Sequence, residues 1–524
     1  MMRSIVTVIV LLWGMSTAVS ETRMEAATSA LLQQVQLISL IESNERFLRY
    51  QRILTANEPL SVDDFYQVKD SVAQFWQHNG ITAIAPYLVN DDDPYTAVLA
   101  LEPNVEGFLP VNNRIRYLLW LAKVQPWTRI EPNGWLKPGD SHPDISAIVD
   151  RLRWLGDYDE QDIDKGNVTQ DHAMQDMSEG KESQNTQTGK VGSEYRGLLS
   201  SAPTSTSTST PSTPVNHSES YQSNDVYDDN LRRAILTFQE RHGLNPDAII
   251  GPATLRWLNV TPINRARLLA VNFVNRAKYM SKIGKRYLLI NIPAYDLVLV
   301  DDNQTVLHSK VIVGKPYRPT PVIQGEISNL VINPSWRVPR RLLKYDLLPK
   351  VRQDGGYINQ HNFEAFNYSE ELVVKSDEEW RDLARGHFPY RLVQKPGVNN
   401  TLGRYKLYFP NQYSVYLHDT QDKALFARSD RALSSGCIRV EKVEQLANWI
   451  ASNLVRDKQT WVDMQIERTK TQWFAFDDKL PVHLVYWTSW LDEHNIAQFR
   501  DDIYKKNQNI IAELQAYNSP NPDE

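Results

Sequence analysis

The sequence predicts a multidomain α+β protein, and three observations support this class. The chain has 524 residues, which is long for a single domain. Apolar residues follow a helical period from about residue 25 to 124, whereas β-branched and apolar residues follow a strand pattern after Tyr287. Between these regions, residues 159–224 are polar and poor in large apolar side chains. We therefore expect a helical scaffold, a β-rich domain and an interruption between them.

Composition and charge narrow the classes of function. Hydrophobic residues make up 41% of the chain, and 14 Trp with 24 Tyr suit a protein that packs or binds with aromatic rings. The net charge of −6 arises from 57 basic and 63 acidic residues, without a basic stripe, so nucleic acid is not an expected partner. No zinc-type spacing such as HExxH accompanies His78 or Asp91–Asp93, and we expect no metal and no cofactor.

The first 20 residues have the features of a signal peptide. Arg3 precedes an apolar run from Ile5 to Trp13, and small residues follow at Ala18–Ser20. The run is too short to span a bilayer comfortably, because a span takes about 20 apolar residues. We predict export, with an uncleaved N-terminal anchor as the alternative. No cysteine follows the run, which excludes a lipoprotein anchor.

Residues 25–138 are predicted to form a helical scaffold, to which residues 261–285 add one more helix. Apolar side chains recur at helical spacing, as at Phe65–Val72. Ser61, with Asp64 three residues later, predicts a helix start. No catalytic pattern occurs in this region, so we expect it to support the active part of the chain.

Residues 139–260 are predicted to form a small three-helix module. The first helix covers Ile145–Leu155, and Gly156 closes it as a C-cap. The second helix runs over Leu231–His242. A third follows the turn at Gly251–Pro252, where proline suits a first helical position.

This module resembles the small peptidoglycan-binding domain. The match rests on Phe238–Gln239 and Ile250–Thr254, and it departs from the family at Ala248, where a glycine is common. It also departs in the insertion at 159–224, which contains a Ser/Thr/Pro tract at 200–214. Such a segment buries too little apolar surface to offset its ordering entropy, so we predict a disordered insertion. An unrelated helical spacer is the alternative interpretation of the module.

A β-rich domain is predicted for residues 286–463, followed by a strand and helix extension at 464–524. Strand patterns occur at 288–292, 297–301, 305–313, 326–332, 406–408 and 415–418. After Val440 the spacing changes to that of a helix. The strand pattern breaks off at 333–400, and an insertion of that size between core strands is usually a functional lid. A helical decoration of the sheet is the alternative.

The candidate catalytic residues lie near the end of this domain. Cys437 is the only cysteine of the chain and stands within Ser434–Val440, downstream of His418. Cysteines of exported proteins normally pair, so an unpaired one is either a working thiol or a buried, inert residue. The neighbouring residues favour a nucleophile, with His418 as its base.

Acyl transfer requires a thiolate, and two features are expected to favour that ion. His418 would hold it as an imidazolium, and the helix after Val440 would direct its positive N-terminal dipole toward the sulfur. The backbone amides of Gly436 and Cys437 would form an oxyanion hole. Arg439 would bind a substrate carboxylate.

The same residues carry a resemblance to a family. His-Asp-Thr at 418–420, followed by Ser-Gly-Cys-Ile-Arg-Val at 435–440, resembles the signature of L,D-transpeptidases with a YkuD-type catalytic domain. Val313–Gly314 and Thr320–Pro321 match its "G…TP" segment. Ser435 replaces a histidine that is common in the family. This variant, the insertion and the helical regions resemble the large periplasmic YcbB-type subgroup.

The resemblance implies a function and a set of site residues. Cys437 would attack diaminopimelate in a tetrapeptide stem and pass it to a second stem, which gives a 3→3 cross-link in peptidoglycan. A backbone carbonyl would orient His418, so Asp419 is not assumed to be a catalytic side chain. Trp336, Tyr416, Ser435 and Arg439 would line the site, and residues 333–400 would be its lid. The resemblance also implies a periplasmic monomer that carbapenems acylate, and it leaves open other wall-synthesis enzymes as partners.

Two further interpretations remain at this stage. The same acyl-enzyme would serve an L,D-carboxypeptidase that uses water, or an enzyme that attaches lipoproteins to the wall or releases them. A non-catalytic wall-binding protein is the alternative from another class. It would leave the joint presence of Cys437 and His418 unexplained.

Overall fold

A computed structural model describes residues 23–42, 45–56, 60–158 and 225–507. The predicted signal peptide and the predicted insertion at 159–224 lie outside these ranges. The chain divides into two compact units: Met1–Arg129, Phe238–Asp247 and Pro252–Glu524 form the first, and Ile130–Thr237 with Ala248–Gly251 form the second. Within the described ranges, no helix is both long and apolar enough to cross a membrane.

The N-terminal part of the first unit is helical, as the sequence predicts. Its helices are α1 (23–41), α2 (Glu45–Thr55), α3 (Val62–His78), α4 (Pro94–Leu99) and α5 (Phe108–Val124). Ser61 is the N-cap of α3, because its side chain accepts a hydrogen bond from the Asp64 amide. The buried side chains of α3 include Phe65, Val68 and Val72, which are the residues that gave the helical period.

The next three helices are α6 (Asp144–Leu155), α7 (Asp229–Arg241) and α8 (Pro252–Leu258). The predicted C-cap is present, since Gly156 has φ of 84°. Ala248 adopts a φ of 58°, in the left-handed region that favours glycine, which explains why a glycine is expected there. Its carbonyl accepts a hydrogen bond of 2.7 Å from the Tyr227 hydroxyl.

Helix α9 (Pro262–Met280) returns to the scaffold, with Thr261 as its N-cap. It packs against α5 through Phe273 and Phe108, whose ring centroids are 6.0 Å apart. The buried Asn272 of α9 hydrogen-bonds Thr488 through both its amide nitrogen and its oxygen. The hydrogen bonds between Asn272 and Thr488 join helix α9 to the segment that follows the main sheet.

The part of the first unit that corresponds to the predicted β-rich domain and its extension contains strands β1 to β15. They are β1 (Tyr287–Asn291), β2 (Asp296–Asp301), β3 (Gln304–Gly314), β4 (Ile323–Ile332), β5 (Trp336–Arg337), β6 (Phe363–Phe366), β7 (Leu372–Val373), β8 (Arg391–Gln394), β9 (Tyr405–Tyr408), β10 (Leu417–His418), β11 (Ala432–Ser434), β12 (Ile438–Val440), β13 (Gln472–Val485), β14 (Ser489–Leu491) and β15 (Ala497–Phe499). In the described residues, the main sheet has the order β11-β3-β12-β10-β9-β4-β13-β1-β2. Strand β3 also pairs with β2, which links the two ends of this order. The short strands β11 and β12 both pair with β3, and β10 pairs with β12.

The predicted lid contains a sheet of its own, which the sequence analysis did not find. Strands β5, β8, β6 and β7 pair in that order. They are accompanied by α10 (Arg340–Leu342), a π-helical turn at Leu343–Leu347, α11 (Leu348–Gln353), α12 (Tyr357–Gln360) and α13 (Asp377–Arg385). A separate cluster of buried residues holds this insertion together, including Val351, Ile358, Trp380 and Leu392. Strands this short carry little periodicity, which explains the missed assignment.

Two helices follow the main sheet, α14 (Val443–Leu454) and α15 (Lys458–Asp463). The apolar face of α14, with Leu446 and Ile450, belongs to the same core as Leu417 of β10 and Ile438 of β12. One face of the strands that carry the candidate catalytic residues is thus fully occupied by the core. A helix predicted at the end of the chain lies outside the described residues. The predicted α+β multidomain class is confirmed.

Candidate active site

Strands β10 and β12 bring the two candidate catalytic residues together. They pair in parallel, with Leu417 opposite Ile438 and His418 opposite Arg439. Side chains alternate between the two faces of a strand. Because Leu417 and Ile438 are fully buried in the core, His418, Arg439 and Cys437 belong to the opposite face.

That face forms the floor of a cleft of about 780 Å³, a volume typical of ligand sites. The cleft is bounded by the β3–β4 loop, by the lid and by strands β10 and β12. Every site residue predicted from the sequence lines it: Trp336, Tyr416, His418, Ser435, Gly436, Cys437 and Arg439.

The His418 ring is held by a backbone carbonyl. Its Nδ1 lies 2.5 Å from the carbonyl oxygen of Asp419, so Nδ1 carries the proton and Nε2 keeps its lone pair. The Asp419 carboxylate is engaged elsewhere, because it accepts from the amides of Arg404 and Thr420 and pairs with Lys423 at 2.5 Å. The orienting group is therefore the main chain of Asp419.

The His418 imidazole is neutral in the resting site. Burial, with the nearby Arg439 guanidinium as the second cause, lowers the pKa of His418 to about 3. The expected imidazolium that would hold a resting thiolate is thus absent at neutral pH. The sequence predicts His418 as the candidate base, but the protonation state of this residue depends on burial that residue spacing does not reveal.

The Cys437 thiol is also neutral at rest. Its Sγ lies 3.9 Å from the backbone oxygen of Ser414. Burial raises the pKa of the Cys437 thiol, against the opposing effects of the Tyr416 amide and hydroxyl and of the cations Lys406 and Arg439. A thiolate therefore forms only as the proton moves to a base.

The predicted helix dipole does not reach the sulfur. Helix α14 begins only at Val443, and strand β12 lies between its first turn and Cys437. Three strand residues span roughly 10 Å, whereas the field of a helix end falls off within its first turn. This prediction is wrong, and the cations Lys406 and Arg439 favour the thiolate instead.

Lys406 is a site residue that the sequence analysis missed. It lies opposite His418 in the pairing of β9 with β10. Its Nζ stands 4.1 Å from the centroid of the Tyr416 ring, a cation–π contact next to the thiol. The alternation in β9, where Tyr405 and Leu407 are buried in the core, is the signal that turns Lys406 toward the site.

The loop before Cys437 is held by hydrogen bonds between its own residues. The Ser434 hydroxyl donates to the Cys437 carbonyl at 2.6 Å and accepts from the Gly436 amide at 3.1 Å. The Gly436 amide is therefore occupied within the turn, at odds with its predicted oxyanion role. Gly436 has φ of 119°, which only glycine adopts readily. The Cys437 amide has no acceptor among the described residues and stays available to an oxyanion.

Arg318 ties the lid to this loop. Its guanidinium binds both carboxylate oxygens of Asp346, in the π-helical turn of the lid, at 2.5 and 3.0 Å. The same guanidinium donates to the Ser435 hydroxyl at 3.0 Å. π-Helical turns are often found at functional sites. Ser435 thus contacts the lid through Arg318.

The remaining predicted residues have distinct contacts. Trp336 is buried, and its indole and the Cys437 side chain are both neighbours of the Tyr416 hydroxyl. Arg439 lies 3.6 Å from Asp422 and 3.5 Å from the Thr420 hydroxyl, with part of its guanidinium open to the cleft. Its position suits binding of a carboxylate on a ligand.

A thiol beside a histidine whose Nε2 keeps its lone pair is an arrangement suited to a cysteine nucleophile and its base. Residues 285–469 match the family model described as L,D-transpeptidase catalytic domain, named YkuD. Residues 217–258 match the model described as peptidoglycan binding domain. These two segments are thus similar to the L,D-transpeptidase catalytic domain and to the peptidoglycan-binding domain, respectively.

Relatives with the same family name are known. The chain is 38% identical over 232 residues to a Haemophilus influenzae protein described as an L,D-transpeptidase. That match covers 43% of this chain and 46% of the relative, so it spans about half of the relative's length. An L,D-transpeptidase structure from Mycobacterium smegmatis is 14% identical, with 38% and 58% of the two chains covered and a TM-score of 0.19. The Enterococcus faecium catalytic domain acylated by ertapenem is 11% identical, with 39% and 99% covered and a TM-score of 0.18.

Proposed function

We propose that this protein is a periplasmic L,D-transpeptidase that forms 3→3 cross-links in peptidoglycan through a Cys437 thioester. The observation that carries the proposal is the arrangement of Cys437 and His418 on adjacent parallel strands, with Nδ1 of His418 bound to a carbonyl and Nε2 left as the base. The family match at 285–469 supports the reaction class. The match at 217–258 supports peptidoglycan as the substrate.

The first half-reaction forms the thioester. The Cys437 proton passes to Nε2 of His418 while sulfur attacks the carbonyl carbon of diaminopimelate, the third residue of a tetrapeptide stem. The carbonyl electrons move to oxygen, and the Cys437 amide donates a hydrogen bond to that oxyanion. The intermediate then expels the terminal D-Ala, whose nitrogen takes the proton from His418.

The second half-reaction transfers the acyl group. The side-chain amine of a second diaminopimelate attacks the thioester and gives its proton to Nε2 of His418. The sulfur leaves and regains that proton, which restores the neutral pair. The imidazolium that His418 becomes in each step is the proton donor for the leaving group.

The test is the muropeptide profile. The mature protein is incubated with tetrapeptide-rich peptidoglycan, which is then digested with muramidase and analysed by mass spectrometry. We expect 3→3 dimers and free D-Ala from the wild type, and neither from Cys437→Ala. D-Ala with tripeptides but no dimers would assign water as the acceptor and overturn the cross-linking proposal.

Two further measurements check separate parts of the proposal. A carbapenem is expected to add its mass to the wild type and not to Cys437→Ala, which tests the nucleophile without any peptidoglycan. Fractionation of cells that produce the full chain is expected to recover it in the periplasm. Recovery in the cytoplasm would contradict the proposed location.

A further inference from the structure

The charges that line the catalytic cleft are strongly unbalanced. Two carboxylates face the cleft, those of Asp346 and Asp422, whereas the cationic side chains are more numerous: Lys315, Arg318, Arg341, Lys350 and Arg439. A cleft with walls of one sign concentrates the electric field and attracts ligands of the opposite sign. The cleft is therefore built for an anionic ligand.

Both carboxylates are already engaged with two of these cations. Asp346 is bound by Arg318 through both of its oxygens, and Asp422 lies 3.6 Å from Arg439. Among the described residues, the other three cations have no carboxylate within salt-bridge distance. We call these three, Lys315, Arg341 and Lys350, the cationic rim.

The cationic rim is partly positioned by aromatic side chains. Lys350 has its Nζ 5.3 Å from the centroid of the Tyr357 ring and 3.4 Å from the Tyr357 hydroxyl. Lys315 has its Nζ 5.8 Å from the centroid of Tyr317. Such contacts restrict an ammonium group without neutralising its charge. The two ammonium groups thus stay available to an anion.

The cationic rim comes from two separate parts of the chain. Lys315 lies in the β3–β4 loop, whereas Arg341 and Lys350 lie in α10 and α11 of the lid. All three line the cleft that also holds Cys437. A substrate that reaches both the thiol and the cationic rim therefore needs anionic groups some distance from its reacting carbonyl.

We propose that Lys315, Arg341 and Lys350 form an anion subsite that binds ionised carboxylates of the donor peptide, remote from the carbonyl that Cys437 attacks. The subsite makes the enzyme selective for donor stems whose carboxylates are free and not amidated. This inference rests on the proposed function, because it specifies the donor. A stem that contains glutamate and diaminopimelate carries such carboxylates, and amidation removes their charge.

The first experiment compares one synthetic tetrapeptide in its free-acid form and with its remote carboxylates amidated. Release of the terminal D-Ala is measured, since this step is common to every acceptor. Loss of a charge-assisted contact is expected to raise KM roughly tenfold for the amidated donor. The kcat is expected to stay unchanged, because this binding is equal in the ground and transition states. Equal KM values for the two donors would overturn the proposal.

Variants test which residues cause the selectivity. Arg341→Ala and Lys350→Ala are expected to lose most of the preference for the free acid. Arg340→Ala is the matched control, because Arg340 precedes Arg341 in the same helical turn but does not line the cleft. If Arg340→Ala loses the preference to the same extent, net charge alone is responsible and the subsite is wrong. A thermal midpoint equal to that of the wild type confirms that each variant stays folded.

A binding measurement separates this inference from the proposed function. The two donors are titrated calorimetrically into Cys437→Ala, which cannot turn over. Tighter binding of the free acid, by roughly tenfold, would support the subsite even if no cross-links form in the muropeptide assay. Equal binding of the two forms would reject the subsite even if cross-linking is observed.

Discussion

Replacement of Thr320 by Val tests how the loop before Cys437 is held in place. The Thr320 side chain is fully buried. Its hydroxyl donates to the Gly436 carbonyl at 2.8 Å and accepts from the Gly314 amide at 2.8 Å. Valine has nearly the same shape but leaves both buried backbone groups without a partner. The change therefore removes the link and adds no bulk.

The magnitude follows from the two lost hydrogen bonds. An unsatisfied buried polar group costs about 1–3 kcal/mol, so the ordered loop loses at least about 2 kcal/mol. This corresponds to a factor of roughly 30 in an equilibrium constant, since about 1.4 kcal/mol is tenfold. We expect the rate constant for acylation of Cys437 by a carbapenem to fall by about that factor in Thr320→Val, as followed by intact mass. The thermal midpoint of the protein is expected to fall as well.

Thr320→Ser is the matched control, because it keeps the hydroxyl and loses only a methyl group. We expect it to acylate within about threefold of the wild type. A wild-type rate in Thr320→Val would refute the reasoning. An equally slow Thr320→Ser would show that methyl packing, and not the hydrogen bonds, holds the loop.

Three more predictions concern the same site. Burial lowers the pKa of His418, so its imidazole stays neutral down to about pH 3. The value of kcat/KM is therefore expected to remain flat from pH 8 to about pH 5. A loss of activity near pH 6.5 would show that the histidine has an unperturbed pKa. Asp346→Asn weakens the partly exposed pair with Arg318, so the free energy of unfolding is expected to fall by about 0.2–1 kcal/mol at low salt and to converge with the wild type at high salt; an equal free energy of unfolding at low salt would contradict the lid contact. Tyr416→Phe keeps the ring beneath Lys406 but loses the hydroxyl that faces Cys437. The rate of acylation, measured by stopped flow, is expected to fall about tenfold. An unchanged rate would show that the hydroxyl takes no part in acylation.

The candidate nucleophile and base are predictable because their signal is local. The lone Cys437 follows Gly436, whose φ of 119° needs glycine, and His418 ends a short strand whose neighbour Leu417 faces the core. A turn that needs glycine and a strand with alternating burial can both be recognised from the residue types of a few consecutive positions. The helices of the scaffold are predictable for the same reason, as the N-cap Ser61 shows.

The lid sheet and the supporting contacts of the site could not be predicted from the sequence, because they depend on residues that are far apart in the chain. Strands β5 to β8 are two to four residues long and are stabilised by pairing across the insertion. Arg318 meets Asp346 and Ser435, and Thr320 meets Gly436, through contacts between residues far apart in the chain. The spacing of residues along the chain does not predict such contacts.

The sequence by itself determined the fold class and the similarity to a family, and it singled out the candidate nucleophile, the candidate base and their neighbours, since each lies in a short motif with a local chemical reason. The tertiary structure alone decided how these groups are charged. Burial keeps the side chains of His418 and Cys437 neutral. The folded chain also places Lys406 beside the thiol, where the sequence analysis expected a helix end. Desolvation and charge proximity depend on the packing of distant segments, so they arise only when the chain has folded.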